Sequence, residues 1–237
     1  MKILVCISHV PDTTSKINFT NNNTEFDSNG ITYVINPYDE FGLTRAMQIK
    51  ESTGASITVI NVGNATTEPT LRKALAIGAD DAVRINAEPT DASFVASLLS
   101  DYAREKDFDL IITGRESIDY NGGIVPGLLA THLDIPFVNA CIGLELEGKK
   151  AKVVREIDGG KETLDGNLPM LIAGQKGLVE EKDLRIPAMR GIMMARKKPL
   201  IVIEAKEVDK MTSVINFELP QAKASCTMID AENINKL

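Results

Sequence analysis

Short apolar runs alternate with longer segments of helical periodicity over the first 140 residues, and this alternation restricts the fold more than any other feature. The apolar runs predict buried strands at 3–8, 56–62, 82–85, 110–113 and 137–142. The segments between them predict helices at 38–51, 70–77, 92–106 and 124–132. Strands that are apolar on both faces and separated by helices are typical of a parallel sheet covered on each side. Right-handed crossovers then predict an α/β fold with a doubly wound, mostly parallel sheet.

The pattern changes after residue 142. Short extended segments at 143–149, 151–156, 162–164 and 169–174 are joined by Glu-Gly-Lys-Lys and Asp-Gly-Gly turns. Segments of this kind predict antiparallel strands at the edge of the sheet. A basic helical stretch at 189–198 and a last strand at 200–204 follow. We therefore expect an α/β domain over 1–205 and a polar C-terminal arm over 206–237, either frayed or ordered by wrapping around another chain.

Charge and composition exclude several classes of protein. The net charge of −7 gives no reason to expect a nucleic-acid partner or binding to an anionic membrane. No apolar run approaches the roughly 20 residues of a membrane span, and the N-terminal run is interpreted as a buried strand rather than a signal peptide. The three cysteines, Cys6, Cys141 and Cys226, lie far apart in the sequence, and their number is odd. Both features argue against a disulfide framework or a metal site. A reducing cytoplasm is the predicted location.

Four loops leave the expected carboxyl ends of strands, where doubly wound sheets bind their ligands. These loops are 8–13, 36–39, 63–66 and 114–123. In the last loop, Asn121-Gly122-Gly123 can turn sharply, expose successive N–H groups and direct a helix N-terminus at an anion. A phosphate pocket and a simple strand-to-helix turn explain this pattern equally well. The usual dinucleotide and P-loop fingerprints do not occur in the sequence.

Catalytic constellations are not evident. His9 and His132 have no motif context and are interpreted as structural. Arg155, Glu156 and Asp158 resemble a catalytic cluster, but strand alternation places Arg155 on one face and the two acids on the other. A chain with a nucleotide-binding shape and no acid, base or nucleophile set suggests a carrier or binding role rather than an enzyme.

Several ordered blocks resemble one known family. The run from Val153 to Leu164, with Arg155-Glu156-Ile157-Asp158-Gly159-Gly160 at its centre and Leu168-Pro169 after it, closely resembles the signature of electron transfer flavoprotein beta subunits. The run Ile192-Met193-Met194-Ala195-Arg196-Lys197-Lys198-Pro199 does so as well. Earlier blocks at 36–40, 72–80 and 117–119 agree with it, and the match runs in order from about Met1 to Pro199.

The resemblance implies the beta subunit of a heterodimer that passes electrons from flavin dehydrogenases, such as the acyl-CoA dehydrogenases of fatty acid oxidation, to a downstream acceptor. It implies an FAD shared with a larger alpha subunit, and a buried AMP, or a second FAD, in the beta chain itself. The nucleotide contacts that it implies fall at Cys6, Asn36, Pro37, Tyr38, Asp39, Val62, Asp119, Tyr120, Asn121, Gly122, Gly123, Ile124 and Val125.

The chain departs from the family pattern in two places. Many members carry a polar run where this chain has Gly123-Ile124-Val125-Pro126-Gly127, so backbone N–H groups are left to bind a phosphate. Asp119 either holds a sugar hydroxyl or caps the following turn. The second departure lies in the expected docking loop, 178–192, where the family's anchoring leucine corresponds to Ile186, followed by Pro187, or to Met189 in another register.

Two other functions fit the same fold class. One is a homodimeric nucleotide-binding module that carries ATP and no flavin, and the signature around Ile157 argues against it. The other is an adenylating enzyme, which needs a Ser/Gly-rich loop after the first strand. That position reads Ser8-His9-Val10-Pro11-Asp12, which argues against such a loop.

Overall fold

A computed structural model describes residues 1–229 of the chain, and two compact units can be distinguished in it. The larger unit comprises Met1–Ser15 and Gly30–Ser213, and the smaller comprises Lys16–Asn29 and the chain from Val214 onward. In the smaller unit a short hairpin turns through Asn21–Asn23, all with positive φ, and Phe19 stacks on Phe217 with ring centroids 4.7 Å apart.

The larger unit is built on a nine-stranded sheet. Its strands are β1 (Lys2–Cys6), β6 (Ser56–Val62), β7 (Asp81–Asn86), β8 (Leu110–Gly114), β9 (Phe137–Glu147), β10 (Lys150–Ile157), β11 (Gly160–Asn167), β12 (Met170–Gly174) and β13 (Leu200–Glu204). Four further short strands form two small ladders, β2 (His9–Pro11) with β5 (Tyr33–Ile35) and β3 (Phe19–Thr20) with β4 (Glu25–Phe26). The order of the main sheet is β11-β10-β9-β12-β8-β1-β6-β7-β13.

Within residues 1–229, five α-helices accompany these strands: α1 (Pro37–Thr53), α2 (Glu68–Ile77), α3 (Ala92–Arg104), α4 (Val125–Leu133) and α5 (Met189–Ala195). Helix α1 begins with Pro37, whose fixed φ suits a first turn, and is followed by Gly54, which adopts the left-handed conformation. Apolar side chains of α1 and α2 belong to one buried cluster, and those of α3 and α4 belong to a second. Because alternate strand residues point to opposite faces, β1 contributes Val5 to the first cluster and Leu4 to the second.

The predicted fold class is confirmed, since parallel pairing joins β12, β8, β1, β6, β7 and β13, and antiparallel pairing joins β9, β10 and β11 at one edge. Residues 206–229 contain no helix or strand, and the remainder of the predicted arm, 230–237, lies outside the described residues.

The position of one strand and the division of another differ from the prediction. The segment 169–174, expected among the antiparallel edge strands, forms β12, which lies inside the sheet and pairs in parallel with β8 and β9. All five of its residues are buried, as is typical of an interior parallel strand. The neighbouring predicted segments 137–142 and 143–149 form the single strand β9, which is parallel to β12 and antiparallel to β10.

Candidate functional site

The order of the strands reverses beside β1. The chain continues from β1 to β6 and β7 on one side, whereas β8 lies on the other side of β1. In open α/β sheets, ligands bind beyond the carboxyl ends of the strands at such a reversal. The loops that follow β1 and β8 therefore border the candidate site, together with the N-termini of α1 and α4.

The carboxylate of Asp39 joins the ends of these two strands. Its Oδ2 accepts a hydrogen bond from the backbone N–H of Ser8 at 2.7 Å, and its Oδ1 accepts one from the N–H of Gly114 at 2.8 Å. Asp39 lies in the first turn of α1 and is only 3% exposed. A Cβ atom at Gly114 would lie 2.4 Å from Asp39 Oδ1, so only glycine allows this close approach.

Burial sets the protonation of Asp39 and Cys6. Removal from water raises the pKa of Asp39 to about 7, although the hydrogen bonds from Ser8, Asn36 and Gly114 oppose the shift. Burial, with a smaller contribution from the negative charge of Asp39, raises the pKa of the Cys6 thiol far above its ordinary value. Cys6 is therefore a protonated, apolar wall residue and not a nucleophile.

Asn36 fixes the loop that follows β8. The side chain is fully buried; its Nδ2 donates to the carbonyl of Glu116 at 2.9 Å, and its Oδ1 accepts from the N–H of Ile118 at 3.2 Å. Pro37 and Tyr38 begin α1. The guanidinium of Arg115 lies 5.9 Å from the ring centroid of Tyr38. The polar side-chain atoms of Asn36 and Asp39 thus hold the chain itself, and the nucleotide contacts expected at residues 36–39 stay a prediction.

The predicted phosphate loop is exposed. Asn121 and Gly123 adopt positive φ values of 51° and 61°, as the Asn-Gly-Gly pattern predicts for a sharp turn. Within residues 1–229, no hydrogen-bond acceptor lies against the backbone N–H groups of Gly122, Gly123 and Ile124. Helix α4 begins directly after them without a side-chain cap. Free N–H groups before a helix N-terminus form a suitable site for an anion.

The structure brings together only some of the predicted contact residues. Cys6 and Val62 lie in the buried cluster on the α3 and α4 side of the sheet, and Val125 packs against that cluster. Tyr120 and Ile124 are 70% and 55% exposed. Asp119 Oδ1 accepts from the N–H of the next residue, Tyr120, at 2.9 Å, and both interpretations of Asp119, the sugar contact and the turn cap, stay predictions.

A buried glutamine beside the site was missed by the sequence reasoning. Gln175 Oε1 accepts from Arg115 Nη1 at 3.0 Å, and its Nε2 donates to the carboxylate of Glu156. Gln175 follows β12, whose last residue Gly174 pairs with Gly114. The sequence predicts this strand at the edge of the sheet, and in that position Gln175 would lie far from Arg115. The signal that could have identified Gln175 is a polar residue directly after a buried strand.

The other candidate side chains have structural contacts. Arg155 and Glu162 face each other across β10 and β11, with Nε and Oε2 2.6 Å apart, which matches a structural interpretation of the signature arginine. His9 stacks on Tyr33 and its Nδ1 contacts Thr70 Oγ1 at 2.8 Å. Burial lowers the pKa of His9. Among the described residues, no group of His, Cys, Asp or Glu is arranged to hold a metal ion.

The predicted docking loop protrudes between two attachments. Ile186 and Met189 are 85% and 78% exposed, and Pro187 between them is half-buried. Before them, Arg185 donates from its N–H to Thr44 Oγ1 at 3.2 Å and from Nη2 to Glu51 Oε2 at 2.8 Å, both on α1. After them, α5 packs against the end of α2.

Comparison with known proteins identifies the family of the chain. Residues 24–208 match the family model described as "Electron transfer flavoprotein domain". The chain is 35% identical to the electron transfer flavoprotein subunit beta of Bacillus subtilis (strain 168), over 98% of this chain and 93% of the relative. It is 30% identical to the subunit of the same name from Homo sapiens, over 97% and 93% of the two chains. The chain belongs to the electron transfer flavoprotein family.

Its relatives are named as beta subunits, so this chain is a beta-type component of an electron transfer flavoprotein. Members of the family carry electrons and are not enzymes. The name of a beta subunit implies an alpha subunit as its partner, and the family name implies a flavin. None of the helices within residues 1–229 is long and apolar enough to cross a membrane.

Proposed function

We propose that this chain, with an alpha subunit, passes electrons from flavin dehydrogenases, such as the acyl-CoA dehydrogenases of fatty acid oxidation, to a downstream acceptor in the cytoplasm. The flavin is an FAD shared with the alpha subunit, which supplies the electron chemistry. The beta chain carries an AMP, or alternatively a second FAD, at the strand reversal. The observation that carries the proposal is the row of free N–H groups at Gly122, Gly123 and Ile124 before helix α4, in a chain of this family.

The residues present fit a nucleotide. The N–H groups of residues 122–124 and the positive end of α4 favour a phosphate, since a helix N-terminus binds anions without help from side chains. The adenine ring is proposed to pack on the same face of the sheet, beside the buried apolar side chains of Cys6 and Val62. The hydrogen bonds that Asp39 and Asn36 accept from Gly114 and Ile118 hold the loop after β8 in place. Ordering this loop therefore costs little free energy when a ligand binds.

The content of nucleotides in the assembled protein tests the proposal. The chain is co-expressed with the alpha-type subunit of the same organism, and the nucleotides extracted from the purified pair are quantified. One FAD and one AMP per heterodimer support a simple shuttle. Two FAD support the alternative in which a second flavin occupies the beta chain. A chain that purifies without partner or flavin contradicts the proposal.

A charge placed at the helix N-terminus tests the phosphate site. Ile124→Asp supplies a carboxylate that caps α4 and repels a phosphate, so the helix is retained while AMP is lost. The matched control, Thr131→Asp, adds the same charge to an exposed position near the other end of α4. We expect the first variant to retain a tenth or less of the AMP and the control to retain nearly all of it. Equal occupancy would exclude residues 122–124 from phosphate binding.

The docking loop, 178–192, is proposed to contact the dehydrogenase through one exposed apolar side chain. Ile186→Ala and Met189→Ala, made separately, distinguish the two registers, because truncation of a central anchor typically costs about 2 kcal/mol or more. One of them should raise the apparent KM for the dehydrogenase roughly thirtyfold. Ile17→Ala, at an exposed apolar residue outside the loop, is the control and should change nothing. If both loop variants match the control, the loop is not the docking element. The polar arm, 206–237, is proposed to pack on the alpha subunit.

A further inference from the structure

The start of the predicted C-terminal arm is fastened along helix α3. We call residues 205–212 the strap. Ala205 and Val208 are partly buried against the apolar cluster to which α3 belongs. Near the end of α3, Lys206 Nζ lies 3.8 Å from a carboxylate oxygen of Asp101 and 3.8 Å from one of Glu105.

The other end of the strap is held by Asp91, the N-cap residue of α3. One carboxylate oxygen, Oδ1, accepts from the N–H of Phe94 at 2.8 Å, which caps the helix. The other, Oδ2, accepts from the N–H groups of Met211 at 2.7 Å and Thr212 at 3.0 Å. These hydrogen bonds, first of all the one from Phe94, lower the pKa of Asp91, so its carboxylate carries a full negative charge at neutral pH. We call the contact of this carboxylate with Met211 and Thr212 the clamp.

The dimensions of the strap and the helix agree. Extended chain covers about 3.3 Å per residue, so the five steps from Lys206 to Met211 span roughly 17 Å. The ten steps of helix from Asp101 back to Asp91 cover about 15 Å at 1.5 Å per residue. Eleven residues of helix and six of extended chain are therefore matched in length, and the strap is long enough to follow α3 in the antiparallel direction between its two attachments.

The two attachments differ in strength. The pairs of Lys206 are exposed and long, and contacts of this kind contribute little. The hydrogen bonds from the backbone N–H groups of Met211 and Thr212 to one carboxylate oxygen of Asp91 are charge-assisted and of good length. Hydrogen bonds of this kind are about twice as strong as neutral ones. Asp91 therefore determines where the strap ends and where the following chain begins.

We propose that Asp91 is a positioning residue for assembly of the heterodimer: it holds Met211 and Thr212 so that the chain from Ser213 onward leaves α3 at one defined point to bind the alpha subunit. The inference rests on the proposed function, which supplies the partner. Its physical basis is preorganisation, because a segment that is already fixed at its base loses less conformational entropy when it binds.

The two roles of Asp91 can be separated by substitution. Asparagine and serine are N-cap residues as good as aspartate, so Asp91→Asn and Asp91→Ser retain the cap on α3. Neither retains the clamp, since asparagine presents an NH₂ donor to the N–H groups of Met211 and Thr212, and serine has one oxygen only. The control within the strap is Lys206→Gln, which removes the weak exposed pairs alone.

The test measures two quantities on the full-length chain: hydrogen exchange at Met211 and Thr212, and the Kd for the purified alpha subunit. In Asp91→Asn and Asp91→Ser we expect exchange at these amides at least tenfold faster and a Kd about tenfold higher, with the exchange of α3 unchanged. Lys206→Gln should behave as the unmodified chain. Unchanged exchange, or faster exchange with an unchanged Kd, overturns the inference while leaving the proposed function intact. If the unmodified chain does not bind the alpha subunit, the proposed function fails and this inference fails with it.

Discussion

The backbone N–H of Gly114 and the Oδ1 atom of Asp39 are joined by a hydrogen bond of 2.8 Å between residues that lie 75 positions apart in the chain. Ser8 donates to the other oxygen of the same carboxylate at 2.7 Å. One side chain at the start of α1 therefore ties together the ends of the two strands between which the strand order reverses. The candidate nucleotide loop begins at Gly114, so the position of the loop depends on this contact.

The raised pKa of Asp39 predicts a specific dependence of stability on pH. The ordinary carboxyl pKa is 3.8, and the pKa of the folded state is about 7. Between these values the folded protein retains a proton that the unfolded chain releases, so the free energy of unfolding falls as pH rises through the window. The total change for a shift of this size is at most roughly 4 kcal/mol.

Denaturant unfolding of the protein and of Asp39→Asn at several pH values between 4 and 7 measures this effect. Asparagine does not titrate, so the difference between the two slopes isolates Asp39 from the other carboxylates. We expect the unmodified protein to lose more stability than the variant as pH rises. Parallel curves would show that Asp39 is ionised throughout the window.

Gly114→Ala should destabilise the protein and disturb the candidate site. The added Cβ would lie 2.4 Å from Asp39 Oδ1 and 2.7 Å from Tyr38 Cβ, so helix α1 or the end of β8 must move. Overpacking of this kind typically costs about 1–3 kcal/mol. Gly122→Ala, in the loop that follows β8, is the control because no atom lies within 4 Å of its Cβ. Thermal and denaturant unfolding compare the two, and equal stabilities would contradict the contact.

The fold class could be predicted from the sequence because its signal is local. Runs that are apolar on both faces indicate buried parallel strands, and the turn residues between them mark where they end. The position of β12 could not be predicted in this way. Its apolar run, Met170–Gly174, is as short as an edge strand, and only its pairing with β8 and β9 places it inside the sheet.

The candidate site, like the fold, could be predicted from the sequence only where the signal is local. The sharp turn at Asn121 and Gly123 follows from residue type, because these residues tolerate positive φ. The roles of Asp39, Gln175 and Asp91 depend on partners far along the chain, and nothing in the residues around them indicates which backbone N–H groups they will meet. Contacts over such distances are fixed by topology rather than by local pattern.

Gly191→Ala should loosen helix α5 and the docking loop that precedes it. A Cβ at Gly191 would lie 2.3 Å from the carbonyl oxygen of Ala76 in α2, so the two helices must separate. Faster hydrogen exchange in α5 and a loss of about 1–3 kcal/mol in stability are expected. Gly160→Ala provides the control, since no atom lies within 4 Å of its Cβ and its effect should stay within about 0.5 kcal/mol. Unchanged exchange in α5 would show that the helices do not pack this closely.

Glu162→Gln tests whether the signature arginine has a structural role. Arg155 and Glu162 occupy directly paired positions on β10 and β11, and both side chains are more than a third exposed. Solvent screens such a pair, so we expect a loss of stability below about 1 kcal/mol that diminishes further in high salt. A double-mutant cycle with Arg155→Met isolates the coupling between the two side chains. If Glu162→Gln leaves stability unchanged but strongly slows electron transfer in the assembled heterodimer, the pair serves the flavin or the partner rather than the hairpin.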